Sequence, residues 1–206
     1  MHIELIDLLR CPKDHEETWL VAALTAVQDR FVIKAKLGCP VCGASYSISN
    51  GIADLRIQPD DHSPSSTITD SDDAVRIAAL LNLTRPGAVA VLEGDHAAVA
   101  QHVSDMTESR IIAINPAAGI EDSEAVAIVL CDARIPLAAD SVIGVVGESS
   151  LIIQDVPRVL RNGGRALLPA AAVIPAGLTE ITRDDRNVLV ESVGALVELR
   201  RESGTT

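Results

Sequence analysis

Three cysteines in the first quarter of the chain hold the densest chemistry in the sequence. Cys39-Pro40-Val41-Cys42-Gly43 places two thiols in one turn, with Gly43 free to take a backbone conformation that a Cβ disfavours. That spacing aims two thiolates at a single point, which in a reducing compartment points to a metal site before a disulfide. Cys11 stands in its own Cys-Pro turn and supplies a third donor. Zinc asks for four tetrahedral ligands. The fourth is Asp14 or His15, with His15 favoured as the softer and commoner zinc ligand. Four protein donors leave no open position, so the expected role is structural. Cys131, far along the chain at the end of an apolar run, is expected to be a buried free thiol and not a ligand.

A second constellation stands at the ends of apolar runs. Ala88–Leu92 follows the turn signal Arg85-Pro86-Gly87 and reads as a strand buried on both faces of a parallel sheet. Asp95–Val103 has a spacing that allows a helix. Strand, tight turn and helix open a nucleotide-binding βαβ unit, whose turn needs glycine where backbone approaches the ligand. Here Gly94 stands alone where two or three glycines are usual. Glu93, Asn115 and Asp132 are further polar residues at strand ends.

These residues need elements to position them. Residues 3–10 have a helical apolar face. Thr18–Leu24 and Arg30–Leu37 read as strands, and Tyr46–Ile52 as strand and turn. Residues 58–72 form a polar Pro/Ser/Asp linker. Ser71 or Asp72 then caps a helix with Val75, Ala78, Ala79 and Leu83 on its apolar face. Further strands are expected at Arg110–Ile114, Ala125–Leu130, Ser141–Val146, Arg165–Leu168, Leu178–Thr182 and near Ala195–Arg200. Ser149–Leu160 reads as a helix closed by Asn162-Gly163-Gly164. The alternation predicts an α/β fold with a doubly wound sheet.

Composition narrows the partners. The three aromatic residues, Trp19, Phe31 and Tyr46, all precede residue 58, so two regions of different make-up are expected. So many rings in so small a region predict an extensive interface with the aliphatic remainder, or an equivalent one between chains, that would cover them. The net charge is −12 and no lysine follows Lys36. That balance opposes direct nucleic-acid binding by the C-terminal part, although a local basic patch nearer the N-terminus stays compatible with it. No apolar run reaches membrane-spanning length and no basic-then-apolar leader opens the chain, so a cytoplasmic protein without a membrane partner is expected.

The pattern Leu8-Leu9-Arg10-Cys11-Pro12-Lys13-Asp14, Cys39-Pro40-Val41-Cys42-Gly43, Tyr46-Ser47-Ile48 and Gly51-Ile52-Ala53-Asp54-Leu55 resembles the zinc-ribbon family of methyltransferase activators. Members of that family dock onto and stabilise methyltransferases acting on tRNA, rRNA and translation factors. The same ribbon also occurs fused ahead of bacterial methyltransferase domains. The resemblance covers residues 1–57 and departs from the family where Asp14 replaces a fourth cysteine.

The remainder resembles the class I S-adenosylmethionine-dependent methyltransferases. Ile112-Ala113-Ile114-Asn115-Pro116 looks like the family's second strand, which ends in an acid that holds the ribose hydroxyls. Cys131-Asp132-Ala133-Arg134-Ile135-Pro136-Leu137 looks like the segment whose acid contacts the adenine amine, and Asp132 keeps it. Val156-Pro157-Arg158-Val159-Leu160-Arg161-Asn162-Gly163-Gly164 looks like the family's late glycine turn. The resemblance implies a Rossmann-like, methyltransferase-type domain over 73–206, with Glu93, Gly94, Asn115 and Asp132 as vestigial cofactor contacts. Asp95 and His96 would crowd the cofactor, and the ribose acid is replaced by Asn115. S-adenosylmethionine binding is therefore not expected and no catalytic residue is assigned. The expectation is a methyltransferase-like protein that has lost catalysis and serves as a binding, scaffold or regulatory subunit. It would act with a protein partner or a second copy. The alternative is an active methyltransferase with a divergent glycine loop.

Overall fold

The computed structural model describes residues 1–58, 71–117 and 119–194. A short helix α1 (Ile3–Ile6) leads into four antiparallel strands, β1 (Val21–Gln28), β2 (Phe31–Gly38), β3 (Ser45–Ser49) and β4 (Ile52–Asp54). Helix α2 (Ser71–Leu80) and β5 (Val89–Glu93) follow. A 3₁₀ turn over Gly94–Val99 then runs into α3 (Ala100–Thr107). The rest is β6 (Arg110–Ile114), β7 (Val126–Leu130), β8 (Val142–Val146), α4 (Ser150–Val159), β9 (Leu160–Pro169), β10 (Leu178–Arg183) and β11 (Asn187–Ser192).

The eleven strands of the described residues join one sheet in the order β1-β2-β3-β4-β7-β6-β5-β8-β9-β11-β10. The stretch β7-β6-β5-β8-β9 is parallel. Counted from β5, its order is that of a doubly wound sheet, with a switch point between β5 and β8. The β10–β11 hairpin extends it antiparallel to β9. At the other end β4 joins β7 in parallel, pairing Ala53 with Val129 and Asp54 with Leu130. The cysteine-bearing strands are therefore not a separate sheet.

Alternation along each parallel strand sends side chains into two cores. Ala90, Leu92, Ile111 and Ala113 pack with Ala74, Ile77 and Leu81 of α2 and its continuation, and with Val99 and Val103 around α3. Val91, Ile112, Ile114 and Val129 face the other way, toward Ile152, Val156 and Val159 of α4. That second core runs without a break into Leu5, Leu9, Val32, Leu37, Tyr46 and Ile48 of the N-terminal part. Helices thus cover both faces, and the core of the parallel sheet is also the core of the cysteine-bearing meander.

Several expectations are corrected. The helix expected over 3–10 stops at Ile6, because Leu9 is drawn into the core and bridges Leu137 while Arg10 bridges Trp19. The buried face of α2 is Ala74, Ile77 and Leu81, and Val75 points to solvent. The glycines expected to cap α4 lie inside β9. Leu160 is already extended and pairs with Val142, and the next pair is Gly144 with Arg165. Gly163 has φ +74° in the resulting bulge, and a Cβ on Gly164 would stand 2.8 Å from the Arg161 carbonyl oxygen. The last strand among the described residues is Asn187–Ser192, started by an Asx turn in which the Asp184 carboxylate accepts from the Arg186 and Asn187 N–H groups. The strand expected near 195–200 lies outside the described residues, as do linker residues 59–70. Of the three rings, Tyr46 is buried and Phe31 is half-buried edge-to-face with His2. Trp19 is 69% exposed, with the Arg10 guanidinium 5.3 Å from its ring centroid. The packing between the two parts within the chain leaves Trp19 uncovered.

Candidate metal centre and the crevice at the strand ends

The turn after β2 is built for two convergent sulfurs. Cys39 N–H donates to the Ala44 carbonyl at 2.8 Å, and Gly43 N–H, at φ +69°, returns to the Cys39 carbonyl at 3.0 Å. The Cys42 N–H points at Cys39 Sγ, 3.5 Å away. Cys11 arrives from the other strand of the knuckle, 3.8 Å from Cys42 Sγ. His15 closes the group with Nε2 3.5 Å from Cys39 Sγ. The donor atoms of Cys11, His15, Cys39 and Cys42 all lie within 4.8 Å of one another. Asp14 is not in this set, so the side chain gathered with the thiols is the imidazole.

The donor set fits zinc. Bonds of about 2.3 Å to sulfur and 2.0–2.1 Å to nitrogen at tetrahedral angles place two sulfurs about 3.8 Å apart and a sulfur–nitrogen pair about 3.5 Å apart. Both separations are found here. His15 Nδ1 lies 2.6 Å from the Glu16 carbonyl oxygen, where it can only be the donor. That contact fixes the tautomer and leaves the Nε2 lone pair toward the thiols. Burial pushes the Cys39 thiol up, but the N–H groups of Cys42 and Val41 outweigh it, bringing it down to about 7. Burial raises Cys11, against a contact from the Tyr46 hydroxyl at 3.5 Å.

The strand-end residues stand along the C-terminal ends of β5, β6 and β7, the edge on which a doubly wound sheet offers its ligand crevice. Each of them is engaged within the chain. Glu93, 8% exposed, ends β5 with its carboxylate on the N-terminus of α4. It accepts from Glu148 N–H at 2.9 Å, Ser149 N–H at 3.0 Å and the Ser149 hydroxyl. Ser149 Oγ in turn accepts from Ile152 N–H and so caps the helix. Gly147 makes room for this carboxylate, since a Cβ there would stand 2.7 Å from Glu93 Oε2. The next residue, Gly94, takes φ +59° in the turn, and His96 Nε2 lies 3.3 Å from Glu148 Oε1 across the same crevice.

Asn115, at φ +44°, is clamped to the chain after β7. Its Nδ2 donates to the Cys131 carbonyl at 2.7 Å and its Oδ1 accepts from Cys131 N–H at 2.9 Å. Asp132 accepts from Ile57 N–H and Gln58 N–H, both at 2.8 Å, and so braces the exit of β4. Cys131 is buried as expected, and burial with the nearby Glu93 carboxylate pushes its thiol well above the ordinary range.

Sequence reasoning missed the staple between the two parts. Arg158 donates to Asp155, to the Ile135 and Leu137 carbonyls at 2.6 Å each, and to Glu17 at 3.2 Å. Glu17 also accepts from Ala139 N–H. An arginine three residues after an aspartate on a helix was the available signal.

No protein-family model matches the sequence, and no curated protein matches it. Solved structures align with part of it. A geranyl diphosphate methyltransferase in complex with SAM aligns at 15% identity over 48% of this chain and 48% of its own, with a TM-score of 0.40. The [4+2]-cyclase SpnF aligns at 16% identity over 54% and 58%, with a TM-score of 0.42. An S-adenosyl-L-methionine methyl transferase from Silicibacter pomeroyi DSS-3 aligns at 16% identity over 59% and 93%, with a TM-score of 0.43. The chain spans about half the length of the first of these. Likeness this distant leaves function to be judged from the site itself. No helix among the described residues is long and apolar enough to cross a membrane.

Proposed function

We propose that this chain is a methyltransferase-like protein that has lost catalysis and works as a binding or scaffold subunit toward a protein partner or a second copy. Its N-terminal part is an activator-type zinc ribbon docked in cis on a Rossmann-like sheet. Cys11, His15, Cys39 and Cys42 hold one zinc ion, which acts there as a structural cross-link.

The observation that carries the loss of catalysis is the seat of Glu93. An anion-binding helix N-terminus at the switch point is where a cofactor's negative group would lie. Here the chain's own carboxylate takes the Glu148 and Ser149 N–H groups and the Ser149 hydroxyl. A cofactor carboxylate arriving in the turn after β5 would meet like charge from Asp95. Asn115 and Asp132 spend their polar atoms on backbone partners. Calorimetry of the full chain with S-adenosylmethionine and S-adenosylhomocysteine is expected to give no saturable heat at micromolar ligand. Micromolar binding would overturn this reading in favour of an active methyltransferase with a divergent loop.

A further inference from the structure

The outer face of the ribbon carries a charge opposite to the rest of the protein. Lys34 and Lys36 are successive outward residues of β2, while Val32, Ala35 and Leu37 face the core. Two of the chain's three lysines therefore stand side by side, about 7 Å apart along the strand. Neither has an ion-pair partner among the described residues. Their cross-strand neighbours on β3 are Ser49 and Ser47. These lysines, Ser45, Ser47 and Thr25 of β1 line one open cavity of about 390 Å³. Arg56 completes its rim, oriented by Asp54 through bonds of 2.9 and 2.6 Å. Asp54 is the one carboxylate among the lining residues.

We propose that this cavity is a binding site for a compact, multiply charged phosphate ligand of the diphosphate class. Two ammonium groups and a ring of hydroxyls are donors without a competing base-recognition surface. The one aromatic lining residue, Tyr46, is buried, and its hydroxyl lies beside Cys11. The size of the ligand follows from charge. A diphosphate stays within about 8 Å of the lysines, the screening length at physiological salt, and feels the local positive field. A nucleic-acid strand would extend past it onto a molecule with net charge −12. The site is independent of the crevice at the strand ends and of its cofactor competence.

The test is calorimetric titration of the full zinc-loaded chain with inorganic pyrophosphate at 0.15 M salt. A parallel titration uses a single-stranded RNA oligonucleotide. Saturable pyrophosphate binding is expected, weakened at least tenfold in the double variant Lys34→Gln/Lys36→Gln. The charge-matched control Arg85→Gln/Arg186→Gln, exposed and away from the cavity, should bind as the parent does. Melting curves establish that both variants fold. Absence of pyrophosphate binding, equal weakening in both variants, or binding of RNA alone would each overturn the proposal.

Discussion

Asn115 and Cys131 close a two-bond ring between the ends of β6 and β7, the side-chain amide donating to the Cys131 carbonyl and accepting from its N–H. Only an amide satisfies both halves, because a carboxylate cannot donate to a carbonyl. Asn115→Asp, which restores the acid implied by the methyltransferase resemblance, should therefore destabilise the fold by about 1–3 kcal/mol. It should bring no gain in S-adenosylmethionine affinity. Urea denaturation and calorimetry on one sample check both outcomes.

Metal analysis of protein purified without added metal should find about one zinc per chain. Cys11→Ser and Cys39→Ser should lose it. Because β4 is hydrogen-bonded to β7 and the cores are continuous, the loss should not melt the ribbon alone. Chelation should lower the midpoint of a single transition, with zinc release and far-UV circular dichroism changing together. Two separate transitions would contradict this.

Glu93→Ala strips the N-terminus of α4 of an acceptor that serves two N–H groups and a hydroxyl. A cost of about 3 kcal/mol is expected, from buried charge-assisted bonds and the helix dipole. Gly147→Ala should be destabilising for the complementary reason, since its Cβ would press on the same carboxylate and on Ile152. Chemical denaturation of the two variants measures both effects.

Asp54 is held below the ordinary carboxylate range, first by its hydrogen bond from the Arg56 side chain. A depressed folded-state pKa contributes stability that is present above the unfolded value of 3.8 and lost as pH falls through the folded one. The acid limb of the stability curve below about pH 4 should be shallower in Asp54→Asn. At neutral pH the same variant should lose about 1 kcal/mol, as befits a partly exposed pair. Stability measured by denaturant at each pH gives both numbers.

What was legible in the sequence was local. The metal donors lie within short turns, so spacing alone brought Cys39 and Cys42 together and placed Cys11 next to His15. Ligand softness already favoured His15 over Asp14, and His15 is the side chain gathered with the thiols. The apolar runs of β5 to β8 were visible because a strand buried on both faces has nothing polar to interrupt it. The partners of the strand-end residues were not visible. Asp132 finds its donors 75 and 74 residues away, at Ile57 and Gln58, and nothing in its own neighbourhood announces them. The glycine pair 163–164 was misplaced because a helix cap and a strand bulge use the same residue for the same backbone freedom. The change in composition at residue 58 suggested two bodies. The strands on either side of it join one sheet through β4 and β7.

The pairing of β4 with β7 sets an order of events at the ribosome. Asp54 leaves the exit tunnel 72 residues ahead of Val126. At roughly 5–20 residues per second, that is a wait on the order of 4–14 s. Throughout it the nascent ribbon presents an unpaired strand edge with no partner yet made, while all four metal donors have already been synthesised. Metal capture joins the pairing of the first residues with β2 as a long-range closure available to the growing chain in that interval, and a cell short of zinc would leave the strands behind this edge held by backbone pairing and core contacts alone.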